Sequence, residues 1–347
     1  MGCSNTNSTG TSGQTKPQNQ PQGQQGQPQQ NIKGQGQQEK KQDVSSFADV
    51  KKIDLPNGET YAYRFQTEKD MNSPCKGVFL FLHATLCSSI QLDTGDFLTS
   101  LTEAFPNYRF LACDLRGQGN STYNKKISRN EDFAEDVKLF LEALQIPKVI
   151  LVGTCMGGYV SGYFASQYPE KVTALILIGA LSMYGGNHMF KDEEFPMGPE
   201  DIDNFPHFKY IQPQIDAKNG EEVKKLVDGF HKDRWIIAKK FDLLLADILN
   251  CRNLREVFYG EAIGNYSNED HDGANRAKGS GAVSKIKAKT LIIHGVEDKT
   301  SPIDHARAMG KAIEGCRIEE LPGVDHFTWH DDLEKTVSFM KDFVSKL

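Results

Sequence analysis

An α/β fold, with a mostly parallel sheet and helices on both of its faces, is predicted by the alternation of two kinds of segment. Short runs of consecutive apolar residues have the length of strands and lack the alternation of a half-exposed strand. Stretches with apolar residues at helical spacing separate these runs, and this order indicates parallel pairing. The apolar runs lie at residues 78–83, 108–114, 149–152, 174–178 and 290–294, helical spacing occurs at 132–144, 156–168 and 304–314, and a strand at 317–321 and a helix at 332–346 close the chain.

The alternation of strands and helices stops between residues 182 and 285. This stretch contains no short apolar run, but helical spacing occurs at 221–231 and 234–250. We therefore expect an inserted helical cap at residues 182–285. It would separate a first part of the core, at 46–181, from a second part at 286–347.

The first 45 residues have a composition that is typical of disorder. Residues 1–43 contain 13 Gln and only Met1, Cys3 and Ile32 as apolar side chains. Such a segment cannot bury enough apolar surface to offset the entropy lost on ordering. We therefore expect residues 1–45 to be a flexible Gln-rich tail. Its alternative role is that of a low-complexity interaction segment.

Charge and cysteine content exclude several functional classes. The net charge is −6, and because residues 1–43 contribute +2, the remainder carries −8. A duplex nucleic-acid binder needs a basic face, so we expect no nucleic-acid partner. The seven cysteines form no C-x-x-C pair, which indicates reduced thiols in the cytoplasm rather than disulfides or a metal site. No apolar run has the length of a membrane span, and the N-terminus lacks the apolar region of a secretory signal.

The first six residues, MGCSNT, match the pattern for myristoylation of Gly2 after removal of the initiator methionine. Cys3 would then be a site for palmitoylation. One acyl chain binds membranes only marginally, whereas two chains bind stably. We therefore expect acylation at Gly2 and Cys3 and a location at the cytoplasmic face of a membrane, and otherwise a cytoplasmic protein. A chance match in a polar tail is the alternative.

The strongest local motif is Gly153-Thr154-Cys155-Met156-Gly157, between a buried strand and a helix. It has the context of a nucleophile elbow, G-x-S-x-G, with cysteine in the place of serine. Side chains two positions before and after the nucleophile would collide in this sharp turn, so Gly153 and Gly157 leave room. Cys155 would lie at a helix N-terminus, which favours a thiolate, and the Met156 N–H would face an oxyanion. A buried, inert cysteine in a Gly-rich turn is the alternative.

A histidine and an acid follow this motif at the ends of later predicted strands. His326 comes after the strand at 317–321, and Asp298 comes after the strand at 290–294. Parallel strands bring their C-terminal ends to one edge of the sheet, where such folds place their sites. A nucleophile needs a base with an orienting acid behind it. Asp325 is a second candidate for the acid, but adjacent side chains usually point apart, which favours Asp298.

Five motifs in this order resemble the α/β-hydrolase fold family over about residues 50–347. They are His83-Ala84 in place of the usual His-Gly, a D-x-R-G-x-G-x-S loop at 114–121, the elbow, a G-x-x-D turn at 295–298 and a G-x-x-H turn at 323–326. The resemblance implies that Cys155 is the nucleophile, Asp298 the acid and His326 the base. It also implies that Thr85, which follows the His-Gly position, donates the second oxyanion N–H. A cysteine nucleophile is similar to that of the dienelactone-hydrolase branch.

The expected function is a membrane-tethered hydrolase that cleaves an acyl ester or thioester through Cys155, His326 and Asp298. Thiol attack favours activated acyl groups such as thioesters and reactive lactones. No cofactor is expected, and no metal ion either, since His326 and His330 form only a weak H-x-x-x-H pattern. Two alternatives stay open. One is acyl transfer to another acceptor, and the other is a catalytically lapsed fold that acts as a membrane-tethered binding module.

Overall fold

One sheet of eight strands organises the described part of the chain. The computed structural model describes residues 49–66, 74–128, 130–183, 207–228, 241–257 and 281–347. The strand order is β1-β2-β4-β3-β5-β6-β7-β8. β3 to β8 are parallel to one another, whereas β1 pairs with β2, and β2 with β4, in antiparallel orientation. The strands are β1 Lys51–Asp54, β2 Thr60–Phe65, β3 Gly77–Leu82, β4 Tyr108–Cys113, β5 Val149–Thr154, β6 Val172–Ile178, β7 Lys289–Gly295 and β8 Arg317–Leu321.

Helices cover the sheet, which confirms the predicted α/β class. The central strands β3, β5 and β6 are buried along most of their length, as their continuous apolar sequences predict. Helix α2 packs against α3, and α1 packs against α9. The helices described are α1 Phe97–Ala104, α2 Asn130–Ala143, α3 Met156–Gln167, α4 Gln212–Asp216, α5 Gly220–Asp228, α6 Phe241–Ile248, α7 Ile303–Ala312, α8 Thr328–Asp331 and α9 Leu333–Val344.

Two strands, β1 and β2, and three short helices, α1, α4 and α8, are additional to the predicted elements. β1 is a four-residue edge strand with two lysines, and its side chains are mostly exposed, so no apolar pattern marks it. β2 is largely buried and joins β1 to β4. Helix α1 is short and buries only Phe97, Leu98 and Leu101.

The described part of residues 182–285 is mainly helical. It contains α4, α5 and α6, and α6 packs against both α5 and a 3₁₀ helix at Ser89–Asp93 in the core. Residues 184–206, 229–240 and 258–280 lie outside the described residues. The bounds of the cap and of the two core parts therefore stay predictions, as does the tail at 1–45 with its acylation sites Gly2 and Cys3. Among the described helices, none is long and apolar enough to cross a membrane.

The register of the parallel strands determines where the candidate site lies. Thr154, the last residue of β5, pairs with Ile178 at the end of β6, and Ile178 pairs with Ile293 on β7. Gly295, the last residue of β7, pairs with Leu321, the last residue of β8. The loops after β5, β7 and β8 therefore leave the sheet at the same edge.

Candidate active site

Cys155 occupies a strained turn between β5 and α3. Its backbone has φ 53° and ψ −122°, a conformation that non-glycine residues rarely adopt. Such strain costs about 1–3 kcal/mol and persists only where the surroundings enforce it. Here the Cys155 N–H donates to the Gly179 carbonyl at 3.2 Å, and the Cys155 carbonyl accepts from the Leu181 N–H at 3.1 Å. The segment after β6 thus holds the turn from both sides.

The two glycines of the motif leave room for close backbone contacts. A β-carbon on Gly153 would lie 2.3 Å from the Gly157 carbonyl oxygen. One on Gly157 would lie 2.1 Å from the Leu82 carbonyl oxygen at the end of β3 and 2.6 Å from that of His83. A side chain at Gly153 would therefore clash within the elbow, and one at Gly157 would clash with the end of β3. The absence of both side chains lets the elbow pack directly on the β3 loop.

His326 and Asp298 are hydrogen-bonded to each other. The His326 Nδ1 and the Asp298 Oδ2 are 2.8 Å apart, and both side chains are buried. Asp325, the alternative acid, instead accepts the backbone N–H of His326 at 2.9 Å. The structure therefore brings Asp298, rather than Asp325, against the imidazole ring.

Cys155 lies near the same imidazole and influences its protonation. Burial lowers the pKa of His326, but the Asp298 carboxylate and Cys155, through charge and hydrogen bonding, outweigh burial and raise this pKa well above its usual value. A carboxylate only accepts hydrogen bonds, so Nδ1 carries the proton that faces Asp298. Nε2 is the ring nitrogen that remains for the thiol.

Three hydrogen-bond donors and a second imidazole surround the Asp298 carboxylate. Oδ1 accepts the backbone N–H groups of Thr300 and Ser301, each at 2.8 Å. Oδ2 accepts from His326 and lies 3.2 Å from the Nε2 of His294. Burial raises the Asp298 pKa, but the two imidazoles outweigh burial, and the pKa is held well below its usual range. The carboxylate is therefore charged at neutral pH.

His294 is a residue of the site that the sequence motifs did not reveal. It is fully buried on β7, and its Nε2 donates to the Ser301 carbonyl at 2.6 Å while it faces Asp298. Its position four residues before Asp298, in His294-Gly295-Val296-Glu297-Asp298, was the available signal.

The predicted oxyanion donors lie at the start of α3 and in the loop after β3. Met156 is the first residue of α3, so its N–H has no acceptor within the helix. Thr85 lies in the loop after β3, where the N–H of Ala84 donates to Gln91 Oε1 at 2.9 Å. The carbonyl of Ala84 accepts from His83 Nδ1 at 2.8 Å. Both backbone groups of Ala84, the residue in the usual glycine position, are therefore hydrogen-bonded within this loop.

A small cavity lies beneath the turn. Its volume is about 20 Å³, which is room for roughly one water molecule. Phe81, Phe97 and Trp329 contribute to its mostly apolar walls, and Thr154 borders it next to the turn. None of the three candidate catalytic residues lines it. The cavity is therefore too small to receive an acyl chain.

No cluster of three or more His, Cys, Asp and Glu side chains arranged to hold a metal ion occurs within the described residues. His330, which the H-x-x-x-H pattern pairs with His326, instead contacts Thr94, with its Nε2 3.3 Å from the hydroxyl. Cys87 and Cys113 are buried, and burial raises the pKa of each thiol well above its usual value. These two thiols are chemically unlike an activated nucleophile.

Comparison with known proteins extends the motif analysis. A model of the alpha/beta hydrolase fold matches residues 77–333. The 2-hydroxy-6-oxononadienedioate/2-hydroxy-6-oxononatrienedioate hydrolase of Escherichia coli (strain K12) is 27% identical over 247 residues, which cover 71% of this chain and 79% of that protein. The enol-lactonase from Burkholderia xenovorans LB400 has a TM-score of 0.61 at 16% identity, covering 85% of this chain and 100% of that one. The esterase from Exiguobacterium antarcticum has a TM-score of 0.61 at 18% identity, covering 85% and 98%.

The two solved structures share the fold of this chain at low sequence identity. The family match extends from the first residue of β3 to the beginning of α9 and thus includes all six parallel strands. The chain therefore belongs to the α/β-hydrolase fold family and is a hydrolase.

Proposed function

We propose that the protein hydrolyses an acyl ester or thioester, with Cys155 as nucleophile, His326 as acid and base, and Asp298 as the orienting acid. One observation carries the proposal. The buried imidazole of His326 has the Asp298 carboxylate 2.8 Å away, and Cys155 is near enough to raise the pKa of the same ring. An imidazole between a carboxylate and a nucleophile is the arrangement that covalent acyl transfer requires.

Acylation begins from the thiolate–imidazolium pair that forms when the thiol proton passes to His326. The Cys155 sulfur attacks the carbonyl carbon, a C–S bond forms, and the carbonyl electron pair moves to the oxygen. The N–H groups of Met156 and Thr85 would stabilise this oxyanion. When the intermediate collapses, the bond to the leaving group breaks, and the leaving group takes the proton from His326. The acyl group is then held as a thioester on Cys155.

Deacylation uses the same groups in reverse. His326 accepts a proton from a water molecule, whose oxygen attacks the thioester carbonyl. The second intermediate collapses with cleavage of the C–S bond, and the sulfur regains its proton from His326. Asp298 stays ionised throughout and stabilises the imidazolium that forms in each half-reaction.

The nucleophile restricts the substrate class. A thiolate is a better leaving group than an alkoxide, so the intermediate formed from a simple alkyl ester expels the enzyme sulfur and returns to reactants. A thiolate, a phenolate or an enolate leaving group allows the intermediate to go forward. Thioesters, aryl esters and enol-lactones are therefore the favoured substrates. The similarity to an enol-lactonase supports the same class.

Hydrolysis of a panel of p-nitrophenyl esters, acyl thioesters and ethyl esters tests this proposal. We expect turnover of the first two groups, and kcat/KM values for ethyl esters lower by about a hundredfold or more. Cys155→Ala and His326→Ala should abolish turnover. Cys87→Ala is the matched control, since it removes another buried thiol near the site.

Two results would contradict the proposal. Equal activity in Cys155→Ala and the wild type would exclude the nucleophile. A wild type as inert as Cys155→Ala across the whole panel, with a Cys155 that does not react with a thiol-directed probe at neutral pH, would favour the binding-module alternative.

We also propose that acylation of Gly2 and Cys3 tethers the protein to the cytoplasmic face of a membrane. The MGCSNT sequence supports this. Lys51, the first residue of β1, pairs with Tyr63, which pairs with Cys113, the last residue of β4. Lys51 therefore lies at the same end of the parallel strands as Cys155. A membrane tether would bring membrane-bound acyl substrates close to the protein.

Metabolic labelling with alkyne analogues of myristate and palmitate tests the tether. We expect the wild type to take up both labels and to sediment with membranes. Gly2→Ala should lose both labels, and Cys3→Ser should lose only palmitate and be released in part. Ser4→Ala is the matched control in the same segment. A wild type that takes up neither label in cells with active acyltransferases would refute the tether.

A further inference from the structure

The side chain of Asp247, on α6, connects the inserted segment to three segments of the core. Its Oδ2 accepts the Ser88 hydroxyl at 2.6 Å, and its Oδ1 accepts the Asn120 amide at 2.9 Å. The guanidinium of Arg64, on β2, lies 3.5 Å from Oδ2. Asp247 is only 7% exposed, so these contacts are largely shielded from water. Removal of a buried carboxylate is costly when its hydrogen-bond donors stay behind without an acceptor.

Ser88 links Asp247 to the loop that carries Thr85. The Ser88 hydroxyl donates to Asp247 and accepts the Ile90 N–H at 3.4 Å, which caps the 3₁₀ helix Ser89–Asp93. Gln91, in this helix, accepts the Ala84 N–H at 2.9 Å. Hydrogen bonds at the two ends of the 3₁₀ segment thus connect α6, through Ser88 and Gln91, to the His83–Ala84 peptide, one residue before Thr85.

Asp114 holds the same segments from the core side. Its Oδ1 accepts the Ser89 N–H at 2.7 Å, and its Oδ2 accepts the Asn120 N–H at 2.8 Å. The start of the 3₁₀ helix and Asn120 therefore lie between two carboxylates, one from the core and one from the inserted segment. Because the contacts of Asp114 do not depend on Asp247, removal of Asp247 should loosen these loops without unfolding them.

We infer that Asp247 is a positioning residue, through which the inserted segment sets the position of the loop at 83–88 and of its oxyanion donor Thr85. The inference rests on the proposed function for its effect on catalysis, but not for its effect on the loop. In this view α6, a helix of the inserted segment, stabilises the loop that carries the oxyanion donor. Hydrolysis would then depend on the docking of this helix.

Steady-state kinetics of Asp247→Ala on p-nitrophenyl esters tests the effect on catalysis. Loss of one oxyanion donor lowers kcat by about 10²–10³, so displacement of a donor should lower kcat by about 10- to 100-fold. We expect KM to change by less than about threefold, because the oxyanion contact forms only in the transition state. Asp247→Asn should resemble Asp247→Ala, because the new NH₂ group would face the Ser88 hydroxyl or the Asn120 amide, both of which donate to Asp247 in the wild type. Asp242→Asn, an exposed acid on the same helix, is the matched control.

Ser88→Ala tests whether the effect passes through the 3₁₀ helix. We expect a similar loss of kcat in this variant. The double variant Ser88→Ala/Asp247→Ala should have a kcat within about threefold of that of each single variant. Fully multiplicative effects would overturn the proposed route. This variant also replaces Asp247→Ala if the latter does not fold.

Hydrogen exchange tests the effect on the loop without any enzymatic activity. Peptides that cover residues 84–92 should exchange about tenfold faster or more in Asp247→Ala, and at the wild-type rate in Asp242→Asn. If the wild type hydrolyses nothing, the proposed function fails while the exchange result still decides the inference. Unchanged exchange at 84–92, or faster exchange throughout the sheet, would overturn it.

Discussion

Replacement of Asp298 by Asn should lower kcat/KM at neutral pH by about a thousandfold. Asp298 is buried, and its Oδ2 is 2.8 Å from His326 Nδ1, so the charges are about 4 Å apart at their centres. At an effective dielectric constant of about 20, this attraction is about 4 kcal/mol, or roughly 10³ in the equilibrium that forms the thiolate–imidazolium pair. The substitution removes the charge but keeps the size of the side chain.

The pH dependence of the same variant gives the sign of the effect. Burial lowers the pKa of His326, and Asp298 and Cys155 together raise it well above its usual value. In Asp298→Asn only Cys155 still opposes the effect of burial, so the pKa of His326 falls. The alkaline limb of the kcat/KM profile should therefore move to lower pH. The assay is p-nitrophenyl ester hydrolysis from about pH 5 to pH 10, which spans the ordinary titration range of histidine.

Asp325→Asn is the matched control for this prediction. It removes the same charge one residue before His326, but the Asp325 carboxylate accepts the backbone N–H groups of His326 and Lys299 and does not accept from the ring. We expect wild-type activity within about fivefold and an unchanged alkaline limb. An alkaline limb that is unmoved in Asp298→Asn, or that moves instead in Asp325→Asn, would refute the assignment of the orienting acid.

Three further substitutions test the packing and titration of the fold. Gly157→Ala should destabilise the protein by about 1–3 kcal/mol in denaturant unfolding and reduce activity, because the new β-carbon would lie 2.1 Å from the Leu82 carbonyl oxygen. Burial lowers the His330 pKa to about 4, so the wild type should lose up to about 3 kcal/mol of its free energy of unfolding as the pH falls from about 6.5 to about 4. His330→Gln should not show this loss. Arg116→Met should cost about 3–5 kcal/mol in the same assay, because it leaves the buried carboxylate of Asp136 without its cation.

The first and third of these substitutions have matched controls in the chain. Gly220→Ala adds a methyl group where the nearest atom would be 3.5 Å away, so it should not destabilise the protein. Arg307→Met removes an exposed ion pair and should change stability little. Equal losses in each pair would contradict the packing argument. An unchanged stability difference between pH 7 and pH 4 in His330→Gln would contradict the titration argument.

Local sequence was sufficient to predict the parallel part of the sheet and the sharp turn that carries Cys155. Continuous apolar runs mark strands that are buried on both faces, and the spacing of Gly153 and Gly157 around Cys155 follows from steric limits inside one turn. The topology of parallel strands then indicated that Asp298 and His326 would follow β7 and β8 at the same edge. These features depend on short stretches of chain and on a general rule of sheet connection.

Other features depend on contacts between distant segments and left no local pattern. β1 is short, charged and exposed, so only its pairing with β2 identifies it as a strand. The approach of His294 to Asp298 depends on how the loop after β7 turns back. Asp247 contacts Ser88, which is 159 residues away in the chain, and a lone aspartate in a helix gives no sign of such a partner.

The most direct test of the proposed chemistry is detection of the covalent intermediate. Protein mixed with a p-nitrophenyl ester or an acyl thioester is quenched in acid within milliseconds to seconds and examined by intact-mass and peptide-mass measurement. We expect the mass of one acyl group, located on the peptide that contains Cys155, with a burst of p-nitrophenolate equivalent to the protein. The absence of any acyl adduct during turnover, or an acyl group on a residue other than Cys155, would contradict the mechanism.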